Sequence, residues 1–264
     1  MPIKFGNLDI SSMSFGSLPV DKLYFGSQAI YESGPSVDPV LENNDWATIK
    51  AVCEAGLAAD YWAVGDTKTD AGTDGNTRTF RIVDMQGLYN KHVVFESVTT
   101  EANSEIWNAQ DNVDDNNCSN NWNISNMRTV VLPATLLKYS SGLQSAVTET
   151  TIQTAKDGGD NKTLISTTNK LFLAAEKEWY TTRSRSWQFE FNALTTYNYW
   201  TIHTSSSEHI KYNPQGTAVF CFFRSPQDWF MDGYTYNVCG NHAGGGQSRL
   251  ESYRSYYFVP CFSF

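Results

Sequence analysis

Thiols and imidazoles are the side chains that most often do covalent or metal chemistry, and this chain scatters the few it has. The histidines are His92, His203, His209 and His242, and the cysteines are Cys53, Cys118, Cys221, Cys239 and Cys261. Nucleophilic catalysis requires a Ser or Cys beside a His that a third group orients. No histidine here falls in such a local signature, and there is no G-x-S-x-G elbow. Cys239-Gly-Asn-His242 is half of a zinc pattern without its second half, and reads as a loop Cys and His. Five cysteines at irregular spacing read as reduced, mostly buried small hydrophobes of a protein made in a cytoplasm. Asp111-Asn-Val-Asp114-Asp115 offers the hard oxygens that Ca2+ takes. It lacks EF-hand spacing and the E-P-N, Q-P-D and W-N-D triplets of calcium-dependent lectins, so it reads as a solvated loop, with Ca2+ the one candidate ion. Thr69-Asp70 and Asp74-Gly75 likewise read as turn residues. The expectation is a non-enzyme with no cofactor.

Recognition chemistry is denser. Residues 227–257 bring together Trp229, Tyr234, Tyr236, Asn241, His242, Arg249, Tyr253, Arg254 and Tyr256 around Gly244-Gly245-Gly246. Rigid amphipathic rings among short hydrogen-bonding side chains make adaptable recognition surfaces. Aromatic faces with Asn and Arg also suit a sugar, whose ring stacks while its hydroxyls bond. We take these nine residues as the candidate ligand-binding set. With 19 basic and 28 acidic residues, a net charge of −9 argues against a nucleic-acid backbone and against an anionic membrane surface. No apolar run has the length of a secretory signal or a bilayer span.

The elements that must position these residues follow from periodicity. Residues 44–57 predict a helix capped by Asn44, with Trp46, Ile49, Cys53 and Leu57 on one face. Thr77–Asp84 and His92–Thr99 predict strands, with an Asp74-Gly75 hairpin turn before them. Residues 101–123, with eight asparagines, five carboxylates and no Lys or Arg, predict a long solvated loop. A second helix is expected from Ser125 through Met127, Val130, Leu132, Leu136 and Leu137, kinked or restarted at Pro133. Later strands are expected at 148–155, 170–174, 187–191, 197–203, 218–223, 234–239 and 256–262. Two early helices followed by short strands and long loops make an α+β plan.

The first thirty residues carry a repeat. Phe5-Gly6-Asn7, Phe15-Gly16-Ser17 and Phe25-Gly26-Ser27 recur every ten residues, with apolar alternation between them. Gly followed by Asn or Ser is turn chemistry, so residues 3–31 predict a small β-meander. It holds too little apolar surface to stand alone and has no Cys or His to staple it. The expectation is an attachment and oligomerisation module over 1–33, with Phe5, Phe15 and Phe25 as its anchors. A Pro- and Gly-containing linker over 34–42 and a domain over 43–264 follow.

Four stretches in order carry a resemblance: Trp122-Asn-Ile-Ser125-Asn-Met-Arg128-Thr-Val-Val-Leu132, Lys170-Leu-Phe-Leu-Ala-Ala-Glu-Lys-Glu178, Phe222-Phe-Arg224-Ser225-Pro226, and the closing Phe258-Val-Pro-Cys-Phe262. Together they are similar to a C-type-lectin-like domain family from gut bacteria and their prophages, related to the superfold of formylglycine-generating enzymes and phage tropism proteins. The family's W-L before R-S-P reads Phe222-Phe223 here, and its L-L-S reads Leu173-Ala174-Ala175. The N-terminal repeat resembles those that open phage tail and head-fibre proteins. The resemblance implies a lectin-like α+β domain in which Trp122, Ser125, Arg128, Leu132, Glu178, Arg224, Ser225 and Pro226 are architecture. Buried Arg128 and Arg224 would need carboxylate partners, with Glu178 a candidate. It further implies a virion protein, a tail, baseplate or head-fibre component, made in the host cytoplasm. Its partners would be other virion proteins through 1–33, further copies of itself (a trimer, by analogy with viral fibres) and a host-surface glycan or protein. The alternatives are an enzyme on the formylglycine-generating scaffold, using Cys221, Cys239 or Cys261, and a purely structural decoration or connector.

Overall fold

In a computed structural model the chain divides into two units, Met1–Pro39 and Val40–Phe264. The structure describes the backbone of the strands within residues 4–32, and then residues 37–86, 93–108, 120–156, 163–182, 186, 188–193, 200–203, 205, 207–227 and 237–264. In the first unit, β1 (Lys4–Phe5) pairs with β2 (Leu8–Asp9), β3 (Ser14–Phe15) with β4 (Leu18–Pro19), and β5 (Lys22–Phe25) with β6 (Gln28–Glu32). Each pair is its own two-stranded antiparallel sheet. Phe5 lies opposite Leu8, Phe15 opposite Leu18 and Phe25 opposite Gln28. The ten-residue repeat is therefore a repeat of hairpins, and the expected meander is corrected: among the described strands no ladder joins one hairpin to the next.

The second unit is α+β, with six short α-helices among its described residues. A 3-10 turn at Leu41–Asn43 buries Leu41, so the packed unit reaches back into the stretch expected to be linker. Helix α1 (Trp46–Glu54) is capped by Asp45, whose carboxylate accepts the Thr48 N–H at 2.7 Å. Asn44, the expected cap, instead donates its amide to the Val40 carbonyl at 3.0 Å. Trp46, Ile49 and Cys53 are buried. Leu57 is 45% exposed because Gly56, at φ 72°, has already ended the helix. After α2 (Ala58–Tyr61) come β7 (Thr67–Ala71), β8 (Thr77–Asp84) and β9 (Val94–Ser97). Gly75, at φ 81°, makes the turn between β7 and β8.

Next come β10 (Glu105–Ile106), a 3-10 turn at Trp122–Ile124, a π-helical turn at Met127–Val131 and α3 (Leu132–Leu136). Trp107 and Trp122 are fully buried, so the polar 101–123 stretch is anchored at both ends of its described residues. The expected second helix is thus two pieces. Pro133 cannot donate an N–H, and its ring clashes with the carbonyl four residues back in α geometry. Widening the preceding turn relieves that clash. Val130 and Leu137, expected on the apolar face, are 57% and 68% exposed; Met127 and Leu132 are buried as expected, and Val131 is buried in place of Val130. That is the rotation a wider turn produces. Helix α4 (Ser141–Ala146) and strand β12 (Leu164–Asn169), which pairs with β11 (Thr150–Ala155), were not expected.

The expected strand at 187–191 is instead helix α6 (Gln188–Ala193), following α5 (Glu176–Trp179). The expected strand at 197–203 holds a 3-10 turn at Thr201–His203. Residues 170–174 make one bridge, Phe172 to Cys261, and no ladder. The chain closes with β13 (Lys211–Tyr212), β14 (Ala218–Val219), β15 (Cys221–Pro226), β16 (Asn237–Asn241), β17 (Gln247–Glu251), β18 (Ser255–Phe258) and β19 (Cys261–Ser263). Two sheets organise the unit, one in the order β19-β9-β8-β7 and one in the order β10-β18-β15-β16-β17. On the first, Trp46 of α1 meets Phe80, Phe95 and Phe262 edge-on at about 6 Å, and Phe95 stacks on Phe262 at 5.3 Å. The start and end of this unit are thereby in one core. No helix among the described residues is long and apolar enough to cross a membrane.

Candidate functional site

Two buried charged clusters hold the second sheet and its surroundings in place. In one, Arg224 on β15 meets Glu178 on α5 through two bonds, Nη1 to Oε2 at 2.8 Å and Nη2 to Oε1 at 3.0 Å. Both side chains are fully buried. Arg224 also donates to the Leu173 carbonyl, and Glu178 accepts the Ala175 N–H. Burial pushes the Glu178 carboxyl up against the pull of Arg224. Ser225 accepts the Glu176 N–H, and Pro226 pairs with Val238. Glu190 on α6 accepts the Ala155 N–H at 2.7 Å, and burial raises its carboxyl to about 7. A carboxyl titrating there has the affinity a general acid needs, but at 1% exposure Glu190 is out of reach of a substrate.

The second cluster surrounds Glu96, which no local pattern had indicated because its partners come from three separate elements. Lys211 lies 2.6 Å from it, Arg81 2.9 Å and His203 3.4 Å. Burial pushes Glu96 up, and Lys211, His203 and Arg81 more than offset that, holding it well below the usual carboxylate range. Burial lowers His203 to about 4, where it stacks on Trp179 at 4.4 Å. These groups are framework: they fix β8, β9 and β13 against one another.

The remaining residues singled out in the four stretches are also framework. Trp122 donates to the Thr167 hydroxyl at 3.1 Å and packs on Trp107. Ser125 accepts the Arg128 N–H, and Leu132 is buried. Arg128 is half-buried, so the condition under which it would need a carboxylate is not met, and it finds none among the described residues. Its guanidinium donates to the Asn169 side chain and to the Asn123 and Thr168 carbonyls.

The candidate ligand-binding residues separate in space. Asn241 is buried and structural: its oxygen accepts the Cys221 N–H at 3.0 Å and its amide donates to the His209 carbonyl. It is withdrawn from the ligand-binding set. Trp229, Tyr234 and Tyr236 lie outside the described residues, as does the Asp111–Asp115 cluster proposed for Ca2+. The side chains of Phe5, Phe15 and Phe25 do too. His242, Tyr253, Arg254 and Tyr256 form one neighbourhood. The exposed His242 ring meets Phe220 edge-on at 4.5 Å, and Phe220 lies 6.2 Å from Tyr256. Arg254, 63% exposed, pairs with Glu251. The Tyr256 phenol is pushed up by burial first and by the Glu251 carboxylate second. The hairpin between β16 and β17 turns through Gly245 at φ 81°, which presents His242 at its tip. Arg249 is exposed on β17 opposite Cys239.

The result is a partly exposed aromatic shelf, His242–Phe220–Tyr256, bordered by an arginine and a carboxylate. Phe220 was missed because it belongs to an apolar run, 218–223, read as strand. It shares its strand parity with the buried Phe222, so periodicity carries no signal of its partial exposure. Cys53, Cys221, Cys239 and Cys261 are free thiols, all buried. Burial pushes Cys53 up to about 12 and raises Cys221 and Cys261 as well, and a thiol so placed is a poor nucleophile. No group of three or more His, Cys, Asp or Glu among the described residues is arranged to hold a metal. The chain matches no family model, no curated protein and no solved structure.

Proposed function

We propose that the protein is a phage or prophage virion component whose first unit attaches it to the particle and to further copies of itself. Its second unit is a C-type-lectin-like display domain for a host-surface glycan or protein. The observation that carries this reading is the N-terminal array: three hairpins that follow a ten-residue sequence repeat, each hydrogen-bonded only within itself among the described strands. Isolated two-stranded hairpins are marginal in water and gain stability by packing on something else. The aromatic shelf at His242, Phe220 and Tyr256 supplies the stacking face a sugar ring takes, with Arg254 and Glu251 for its hydroxyls. Multivalency then raises weak single-site affinity. The buried, raised thiols speak against the formylglycine-type alternative.

Sedimentation of the full-length chain across a dilution series tests the attachment half: an oligomer is expected, and a stable monomer with residues 1–33 resistant to protease refutes it. A glycan array with the purified oligomer tests the display half. Signal should be lost in Tyr256→Ala and His242→Ala, while a blank array favours a decoration or connector protein.

A further inference from the structure

The residues of the second unit that the display reading leaves unused include the π-helical turn and Arg128 on it. Between this turn, α3 and the end of β12 lies an open cleft of about 370 Å³. Its polar side is Arg128, Thr168, Asn169 and Lys170, and its apolar side is Leu132, Pro133, Leu136 and Leu171. We propose that this cleft binds the carboxyl-terminal residue of a peptide bearing an aliphatic side chain.

Charge complementarity carries the argument. Arg128 has five N–H donors; three are directed to the neutral oxygens of Asn169, Asn123 and Thr168, which fix the plane of the guanidinium. Among the described residues the other two, one on each Nη, meet no acceptor, and no carboxylate meets the charge. Donors left on both Nη atoms allow a carboxylate to be received in bidentate fashion. Lys170, exposed beside it, adds a second positive charge and no negative one intervenes in the lining. The opposite wall is aliphatic, with no aromatic ring for a pyranose to stack on, so it selects an aliphatic side chain over a sugar. The backbone favours a peptide over a fatty acid. Strand β12 ends in the cleft at Thr168 and Asn169 and is paired on one side only, by β11, among the described strands. A strand with one open edge accepts an extended peptide by main-chain bonding. The turn that carries Arg128 is π-helical, the kind of helical irregularity that recurs at functional sites. This inference stands apart from the display reading and survives its failure.

The test titrates the full-length, isotopically labelled protein with acetyl-Ala-Ala-Leu as the free acid, with the same peptide as its carboxyl-terminal amide, and with octanoate. The free acid should shift the amides of Arg128 and Asn169 and the methyls of Leu136 and Leu171, and the amide form should bind at least tenfold more weakly. Arg128→Gln should lose tenfold or more with its spectrum otherwise retained. Should that variant unfold, Lys170→Gln, a surface change, should still weaken the acid severalfold and leave the amide unaffected. Equal binding of acid and amide, shifts elsewhere on the protein, or no binding overturns the proposal. Binding of octanoate without the peptide overturns the peptide assignment.

Discussion

Arg224 and Glu178 satisfy each other out of contact with water, so the cost of losing one partner is that of stranding the other. Arg224→Leu should destabilise the second unit by about 3–5 kcal/mol, and adding Glu178→Leu should restore part of that loss. Urea melts of the two single variants and the double check it; strict additivity would refute the pairing. His203 and Glu190 set opposing pH slopes. His203, lowered by burial from 6.5 to about 4, stays neutral in the fold while the unfolded chain takes up the proton. Its contribution is complete above about pH 6.5 and is lost as pH falls toward 4. Glu190, raised by burial from 4.5 to about 7, keeps its proton in the fold. Its contribution is complete below about pH 4.5 and is lost as pH rises through 7. Each slope is about 1.4 kcal/mol per pH unit, and between pH 4.5 and 6.5 the two cancel. Relative to the parent chain, Glu190→Gln should therefore steepen the loss of stability on acidification across that window, and His203→Gln should shift it the opposite way. Denaturant midpoints at three pH values across the window decide it; identical profiles in parent and Glu190→Gln would show that Glu190 does not titrate there.

At the scale of elements, close approach at one glycine governs the recognition hairpin. A Cβ on Gly240 of β16 would run into the Cys221 carbonyl of β15 and the Leu250 side chain of β17, with neighbours on both sides preventing retreat. Gly240→Ala should cost about 1–3 kcal/mol. Gly246→Ala, where nothing lies within 4 Å, should change stability by no more than about 0.5 kcal/mol. Thermal melts of both variants compare them directly, and equal effects would refute the packing argument. The same elements show how far pattern reading reaches. Strand β8 was legible because Phe80 and Ile82 alternate with polar neighbours over one sheet face. The region of α6 misled because Trp187, Phe189 and Phe191 alternate like a strand, which places Glu190 outside. In the fold Glu190 is inside, held by the Ala155 N–H from another element. A buried carboxylate with a distant partner leaves no local trace.

For the molecule as a whole, the two units answer to different requirements. The second has its own aromatic core, closed by Trp46 against Phe262, and should fold without the first. Deleting residues 1–39 should leave its melting temperature within about 2 °C and abolish self-association. Calorimetry and sedimentation of the truncated chain read both at once; a large drop in stability would show that the hairpins pack on the second unit and would remove their attachment role.

By itself, the sequence determined the ten-residue periodicity of the N-terminal hairpins, the α+β class, the position of β8, and that of α1 to within three residues. These depend on turn chemistry and on apolar spacing, which are properties of neighbouring residues. Tertiary structure alone decided that Arg224, and not Arg128, receives Glu178, that Asn241 is a buried brace, and that Phe220 joins His242 to Tyr256. Each depends on which distant segments fold together, because a buried charge or amide is positioned by the partner that compensates its lost water, and that partner may lie 46 residues away, as Glu178 does from Arg224.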